Sequence, residues 1–200
     1  MRTPVQVQLR QLKGSWTLGY ALHKHTLSSV YVGDDPYGHP QFDTTRSEPG
    51  DALFKLKYRG DWGQAPLIAE QFRVSLLPLF PAIGLIVPVP ASTMRQRQPV
   101  EEIATELGKA ANIPVFKTIV VKAAAPEGAA QLKNLNTREE KDAALAGRFS
   151  IHPAITNQGK WNALVVDDLF DTGASMDAVC KILKTYDKIS NVYAAAVTWK

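Results

Sequence analysis

From residue 61 to the C-terminus, apolar runs that suit buried strands alternate with apolar positions at helical spacing. Helical spacing is clearest after Pro99, where Ile103 and Leu107 continue one apolar face, and it recurs from Met176 to Leu183. Strands and helices in alternation are typical of a parallel sheet covered by helices. The pattern predicts an α/β fold with an open, mostly parallel sheet flanked by helices. The strand-like runs are Leu85–Val89, Val115–Val121, Asn162–Val166 and Val192–Thr198.

The first third of the chain has a different pattern. Its β-prone pieces, Val5–Leu9 and Ser28–Val32, are short and are separated by turn residues such as Gly33–Gly38. We predict a small strand-rich N-terminal cap over residues 1–60. It is joined to an α/β core over residues 61–200, and the two parts form a single domain.

Residues 122–160 show no strand pattern. The helix that the sequence predicts there begins after Thr137, because Glu140 stands three residues later at the spacing of a capping box. Long connections of this kind inside compact domains are usually active-site lids or binding loops. We name residues 122–160 the candidate lid.

The composition limits the classes of protein that fit. The chain has 200 residues, of which 45% are hydrophobic and 21% charged, and a chain of this kind buries a core of its own. The 23 basic and 19 acidic side chains are interleaved, so charge gives no case for a nucleic-acid partner. The lone cysteine, Cys180, excludes an intramolecular disulfide and a Cys-rich zinc site.

The sequence also bears on where the protein resides. Residues 1–16 alternate polar and apolar side chains and lack the continuous apolar run of a signal peptide. The most apolar segment, Val74–Pro90, is interrupted by prolines and falls short of the ~20 apolar residues of a spanning helix. We therefore expect a cytoplasmic protein without a membrane span.

One run carries most of the candidate chemistry. A buried strand ends in Asp167 and Asp168 and leads through a short loop into a helix. Gly173 allows close backbone approach in this loop, and the hydroxyls of Thr172 and Ser175 stand at the helix start. Amide hydrogens and the positive end of the dipole at a helix N-terminus bind a phosphate monoester. Paired acids beside such a site suit sugar hydroxyls, or a magnesium ion held through water.

Two other interpretations of this run stay open. A fortuitous strand, acidic turn and helix cap explains Ser175 but not the two adjacent acids. The acidic pair of a receiver domain is the second alternative, although that pair normally follows an early strand. Here the pair follows the third predicted strand of the core.

The run Leu164–Ser175 resembles the phosphoribosyl pyrophosphate (PRPP) motif of type I phosphoribosyltransferases: apolar strand, two acids, spacer, then Thr-Gly-x-Ser/Thr. The resemblance implies that Asp167 and Asp168 hold the ribose hydroxyls and help to place Mg²⁺. Asp171 stands where purine-using members carry an Asp that handles a proton on the base; a solvated loop residue is the alternative. The resemblance further implies that the 5′-phosphate is cradled by Asp171, Thr172, Gly173, Ala174 and Ser175.

A second stretch resembles the ComF-like branch of this family. Leu85–Pro90 and the following Ala91–Arg97 are similar to that branch's strand and pyrophosphate loop, and Lys55–Asp61 is similar to a segment upstream of its core. The resemblance thus covers Phe54 to Thr198. Solvation of a helix start is the alternative role of both arginines in the loop. The residues implied to bind the diphosphate are Ser92, Thr93, Arg95 and Arg97.

The chain departs from that branch in two places. It lacks an N-terminal Cys-rich zinc module, and its strand-rich first third stands there instead. In the candidate lid, Gly147-Arg148-Phe149 matches the branch's Gly-x-Phe, but Ala144 occupies the expected Asn position. The basic residue that precedes it is either Arg138 or Lys141. These departures leave open whether the protein turns over a substrate.

The resemblance implies a pentosyltransferase that uses Mg-PRPP and a nitrogen acceptor such as a nucleobase, or in reverse a nucleoside monophosphate and pyrophosphate. It also implies a homodimer. The alternative is a protein that binds without turnover: a PRPP- or nucleotide-sensing regulator, or a ComF-like partner of DNA-uptake proteins. Scattered charge predicts weak binding of single-stranded DNA in that last case.

Overall fold

A five-stranded sheet forms the centre of the protein, as seen in a computed structural model that describes residues 7–93, 95–126, 128, 130 and 132–200. The sheet order is β1-β2-β9-β8-β5, and the pairs β2–β9, β9–β8 and β8–β5 are parallel. The first strand, β1, runs antiparallel to β2. The strands are β1 (Arg10–Gln11), β2 (Leu18–Lys24), β3 (Thr26–Asp34), β4 (Pro40–Arg46), β5 (Leu85–Pro88), β6 (Val120–Lys122), β7 (Phe149–Ile151), β8 (Trp161–Phe170) and β9 (Ile189–Trp199).

Helices cover both faces of this sheet, which confirms the predicted α/β class. Side chains of β8 alternate between two cores, because successive residues of a strand point to opposite faces. Val165 packs in the core that contains Met176 of the last helix, whereas Leu164 packs with Leu56 and Ile103 on the other face. The helices are α1 (Glu48–Tyr58), α2 (Gln64–Ser75), α3 (Pro99–Ala111), α4 (Arg138–Leu145) and α5 (Ala174–Leu183).

Several predicted elements are confirmed with their local causes. The helix α3 begins at Pro99, whose fixed φ suits the first turn, and it ends at Asn112 in the left-handed conformation with φ 54°. The capping box of α4 is present, since Thr137 accepts from the Glu140 amide and the Glu140 carboxylate accepts in return. Cys180 is buried, as expected for a packing thiol.

The predicted core strand Val115–Val121 is wrong as a single element. Val115 makes an isolated parallel bridge with Ile86, and the chain then leaves the central sheet. The strand β6 instead pairs antiparallel with β7 in a separate two-stranded sheet. The expectation that residues 122–160 contain no strand is therefore wrong as well, because a three-residue strand such as β7 is too short to show alternation.

The N-terminal third differs from the single cap that we expected. The strand β2 lies beside β9 inside the central sheet, and α1 packs Leu53 and Leu56 into the core. Ser47 caps α1 by accepting from the Gly50 amide. A hairpin of β3 and β4 remains outside the central sheet, and its side chains are largely exposed. Part of the predicted strand Val5–Leu9 lies outside the described residues.

Across the part of the chain that the structure describes, no helix combines the length and apolar character needed to cross a bilayer.

Candidate functional site

A cavity of about 350 Å³ opens at the carboxyl ends of β5 and β8. This is the edge of a parallel sheet at which open α/β folds bind ligands. Three stretches form its wall: the loop after β5, the start of α3, and the end of β8 with the first turn of α5. Lys57 of α1 and Lys141 of α4 complete the wall from either side. The volume is in the range of small-molecule sites.

The structure brings almost all of the residues proposed from sequence to this cavity. Arg97 is the exception, since it is not in the cavity wall. Its guanidinium pairs with Glu102 at 2.9 Å and lies over the Trp62 ring at 4.2 Å, at the start of α3. This placement matches the helix-start alternative. The predicted residues that line the cavity are Ser92, Thr93, Arg95, Asp167, Asp168, Asp171, Thr172, Gly173, Ala174 and Ser175.

The two adjacent acids lie inside β8 and not after it, so their side chains point to opposite faces of the sheet. Asp168 meets α1, where Lys57 Nζ lies 2.7 Å from its Oδ2. Asp167 Oδ1 accepts a 2.8 Å hydrogen bond from the Asp168 amide. Burial, with the neighbouring charge of Asp168, raises the pKa of Asp167 to about 7. Of the two acids, Asp168 is therefore held in an ion pair, whereas Asp167 titrates near neutral pH.

Sequence reasoning missed Lys57 as a site residue. Burial acts to lower its pKa, but the charge and hydrogen bond of Asp168 outweigh burial and raise the pKa above its ordinary value. The available signal was its position on α1, one turn after the buried Leu53 and directly after the buried Leu56. A charged residue at that spacing on an amphipathic helix lies at the border of the buried face.

The loop between β8 and α5 has the geometry of an anion site. Gly173 is the N-cap of α5 with φ 75°, and no side chain caps the helix. The first amides of α5 are therefore left without side-chain partners, in a turn that lines the cavity. A Cβ on Gly173 would lie 2.5 Å from Cε2 of Phe170, so the position also requires glycine for space. These amides and the helix dipole favour an anionic ligand.

The candidate lid presents α4 to this loop through two cations. Lys141 Nζ lies 2.6 Å from Asp171 Oδ2, and this hydrogen bond holds the pKa of Asp171 below its usual range. Arg138 instead donates to the Thr172 carbonyl at 2.6 Å and to Asp177 Oδ2 at 2.9 Å. Of the two alternatives left open by the sequence, Lys141 lines the cavity, whereas Arg138 holds the loop backbone.

Lys122 of β6 contacts the site without lining the cavity, and sequence reasoning missed it as well. Its Nζ donates to Ser92 Oγ at 2.7 Å and lies 5.4 Å from the centre of the Phe149 ring. Burial, followed by the charge of Arg148, lowers the pKa of Lys122 to about 8. Its strand is too short to be recognised from sequence, so nothing in the pattern placed this amine near Ser92.

The acid pair suits a hard cation held through water. Among the described residues no group of three or more His, Cys, Asp or Glu side chains converges on a metal position. The oxygens of Asp167 and Asp168 nevertheless fit Mg²⁺, which keeps several waters and uses one or two carboxylates together with phosphate oxygens of a ligand. Asp167 and Asp168 alone do not complete the coordination shell of Mg²⁺ with protein ligands.

Comparison with known proteins finds similarity in three-dimensional structure alone. No family model matches the chain, and no curated protein matches its sequence. An adenine phosphoribosyl transferase from Trypanosoma brucei, in complex with AMP, pyrophosphate and ribose-5-phosphate, aligns at 11% identity with a TM-score of 0.49. The alignment covers 96% of this chain and 75% of that one.

Two further solved structures are similar to a comparable degree. Adenine phosphoribosyltransferase from Thermoanaerobacter pseudethanolicus aligns at 12% identity and a TM-score of 0.44, over 86% of this chain and 95% of that one. The Saccharomyces cerevisiae enzyme aligns at 14% identity and a TM-score of 0.41, over 86% and 85%. Likeness at this level carries no argument about function, so the chemistry of this chain is argued from its own cavity.

Proposed function

We propose that the chain is a phosphoribosyltransferase-like protein that binds Mg-PRPP and transfers ribosyl 5-phosphate to a nitrogen acceptor such as a nucleobase. One observation carries the proposal: the acid pair of β8 and the uncapped N-terminus of α5 line the same cavity. Together they suit a phosphorylated pentose, with the phosphate on the amides of α5 and the hydroxyls on the carboxylates.

The diphosphate of PRPP would lie along the loop after β5. The hydroxyls of Ser92 and Thr93 donate hydrogen bonds there, and Arg95 supplies positive charge. Mg²⁺, where bound with the ligand, would neutralise further charge on the diphosphate as it leaves. Cleavage at the anomeric carbon passes through an oxocarbenium-like state, so the work of the protein is orientation and charge neutralisation.

Asp171, which lines the cavity, would face the acceptor nitrogen beside the ribose. Its carboxylate is ionised at neutral pH, because Lys141 holds its pKa below the usual range. It therefore accepts a hydrogen bond from an acceptor N–H and orients it, and it is a weak base. The segment around α4 covers this part of the cavity and would exclude water from the reacting carbon.

The test is ligand-induced thermal stabilisation, followed by turnover. We expect PRPP with Mg²⁺ to stabilise the protein by about 2.7 kcal/mol at 100 times its dissociation constant. Replacing both Asp167 and Asp168 by Asn should abolish that shift, whereas Asp51→Asn, an exposed change on α1, should retain it. No stabilisation of the unaltered protein at millimolar PRPP would end the proposal.

A second candidate function keeps the pocket and lacks the reaction. Ala144 in place of the expected Asn, and the engagement of Lys141 by Asp171, favour a PRPP- or nucleotide-sensing regulator. Release of pyrophosphate from PRPP with a panel of nucleobases separates the two, because a sensor binds without turnover. Retention of single-stranded DNA at physiological salt would instead support a ComF-like role in DNA uptake.

A further inference from the structure

The ammonium group of Lys57 lies beside the carboxylate of Asp168, where a divalent cation or the hydroxyl groups of a ligand would otherwise bind. Its Nζ lies 2.7 Å from Asp168 Oδ2, and the two side chains are only 23% and 15% exposed. Leu53 and Leu56 anchor this part of α1 in the core. The stem of Lys57 therefore starts from a fixed backbone, and its charged end reaches the cavity wall.

Both lysines in the described wall of the cavity are paired with carboxylates of the same wall. Lys57 is paired with Asp168, and Lys141 with Asp171 at 2.6 Å. Within each pair, the lysine and the carboxylate neutralise each other's charge before a ligand enters. Arg95 adds positive charge to the same wall, so an anionic ligand gains a further cation only by drawing one of the lysines away from its carboxylate.

Of the two lysines, Lys57 is the one that lies near the loop after β5, where a diphosphate would bind. The carbonyl oxygen of Lys57 lies 3.4 Å from Arg95 Nη1, so the end of α1 contacts the loop that follows β5. Lys57 thus stands between Asp168 and the diphosphate loop, whereas Lys141 reaches the cavity from α4 on the side of Asp171. The flexible four-carbon stem of Lys57 would allow its ammonium group to turn from Asp168 towards this loop.

We propose that Lys57 is a ligand-binding residue that exchanges partners, leaving Asp168 for the anionic oxygens of a diphosphate ligand while Asp168 turns to the ligand's hydroxyls or its divalent cation. The class of ligand rests on the proposed function. The exchange has a thermodynamic consequence, because a partly buried carboxylate left without a counter-charge is unstable. Lys57 leaves only when the cation or hydroxyls replace it, so diphosphate and Mg²⁺ bind with positive coupling.

The same argument predicts that Lys57 opposes binding of Mg²⁺ alone. Without a diphosphate, the cation has to displace the Lys57 ammonium group from Asp168, and that ammonium group is then left unpaired in the cavity wall. Removal of Lys57 should therefore have two opposite effects: weaker binding of a diphosphate and stronger binding of the free cation. A residue that merely packs against Asp168 would not separate these two effects.

Calorimetric titration of the full chain with inorganic pyrophosphate and with MgCl₂ tests the exchange. For Lys57→Met we expect at least a tenfold loss of affinity for pyrophosphate in the presence of Mg²⁺, and measurable binding of Mg²⁺ alone that the unaltered protein lacks. The matched control is Lys55→Met, since Lys55 lies on the same helix, is 48% exposed and pairs with Asp51 outside the cavity. It should titrate like the unaltered protein.

Further variants keep the test decisive. Lys57→Arg retains the charge and should recover most of the pyrophosphate affinity. If Lys57→Met does not fold, Lys57→Gln removes the charge but keeps a donor for Asp168, and it should still lose pyrophosphate binding. A folded Lys57→Met protein that binds pyrophosphate within twofold of the unaltered protein overturns the inference. Binding of pyrophosphate that depends on Lys57, without any release of pyrophosphate from PRPP, would instead contradict only the proposed transferase.

Discussion

The pKa values of two lysines near the same acids are shifted in opposite directions. Lys57 has a carboxylate at hydrogen-bonding distance, and its pKa is raised although burial acts against it. Lys122 has a neutral hydroxyl, that of Ser92, and burial lowers its pKa to about 8. A carboxylate partner thus outweighs burial at Lys57, whereas burial dominates at Lys122, and neither partner is adjacent to its lysine in sequence.

Lys122 should make the stability of the protein depend on alkaline pH. Below about pH 8 the folded state holds a charged amine in a partly buried place, and this costs stability in full. Between that value and the ordinary pKa near 10.5 the unfolded chain binds more protons, so stability rises with pH. We expect Lys122→Met to gain about 1 kcal/mol at pH 7, after allowance for solvent screening, and to lose that advantage towards pH 10.

Urea denaturation of both proteins at several pH values between 7 and 10 measures this difference. The exposed substitution Lys117→Met is the control and should change the free energy of unfolding by less than about 0.5 kcal/mol. A difference between Lys122→Met and the unaltered protein that stays constant across the range would contradict the assigned cause.

At the scale of elements, the turn from β8 to α5 determines what the cavity can bind. The strand holds both acids, and the turn passes directly from Phe170 to the first amides of the helix. Gly173 makes this possible through its φ of 75° and its contact with the Phe170 ring. A longer or bulkier turn would move the amides of α5 away from the acids.

Gly173→Ala should therefore be more harmful than the same change at another left-handed glycine. Gly147 has φ 68° and open space where a Cβ would lie, so Gly147→Ala should cost only about 1–2 kcal/mol of backbone strain. At Gly173 the clash with Phe170 adds about 1–3 kcal/mol and shifts the turn. We expect a larger fall in the free energy of unfolding and a loss of ribose 5-phosphate binding for Gly173→Ala alone.

Chemical denaturation and calorimetry on the two variants provide the comparison. Equal losses of stability would show that backbone strain, and not the Phe170 contact, sets the requirement for glycine. Retained ribose 5-phosphate binding in Gly173→Ala would show that the position of the turn does not control the anion site.

Elements with continuous patterns were predictable from sequence, and elements formed by distant contacts were not. The strand, acids, glycine turn and helix of residues 161–183 follow from local signals, since each obeys a periodicity or a cap rule. The pairing of β6 with β7 joins segments more than twenty-five residues apart, and neither strand is long enough to alternate. The place of β2 beside β9 likewise depends on two ends of the chain meeting.

The same distinction holds within the cavity. Asp167 and Asp168 were identifiable because two acids after an apolar run are unusual for a core strand. Lys57 and Lys122 were not, because each lies in a different element and acquires its role only through a contact with β8 or with the loop after β5. The family resemblance implied that Arg97 binds the diphosphate, with a role at the helix start as the alternative, and Glu102 and Trp62 hold it at the start of α3.

At the scale of the whole molecule, Asp177 joins three parts of the chain beneath the candidate anion loop. Its side chain, on α5 and 6% exposed, accepts from the Ser15 amide at 2.6 Å, from Arg138 of α4 at 2.9 Å and from Lys181 at 2.8 Å. Burial acts to raise its pKa, but the hydrogen bonds of Lys181 and Ser15 outweigh it and lower the pKa below the usual value.

Asp177→Ala should destabilise the whole protein by about 3 kcal/mol, since it leaves Arg138 and the Ser15 amide without this acceptor. A carboxyl with a lowered pKa contributes stability above its unfolded pKa, and this is lost as the pH falls through the lower folded value. The unaltered protein should therefore lose stability more steeply below pH 4 than Asp177→Asn does. Thermal unfolding between pH 2.5 and pH 6 checks this, with Asp187→Asn, at an exposed acid, as the control.

The placement of β8 between β9 and β5 limits how this protein could acquire a new ligand. Pairing with β5 as far as Val166, and with β9 as far as Phe170, fixes the strand that carries Asp167 and Asp168, so those acids are poor places to introduce variety. The lysines that pair with acids of the cavity wall, Lys57 and Lys141, belong to α1 and α4, which lie outside the sheet. Engineering of altered specificity should therefore begin with substitutions on these two helices, where the chain tolerates adjustment without rebuilding its centre.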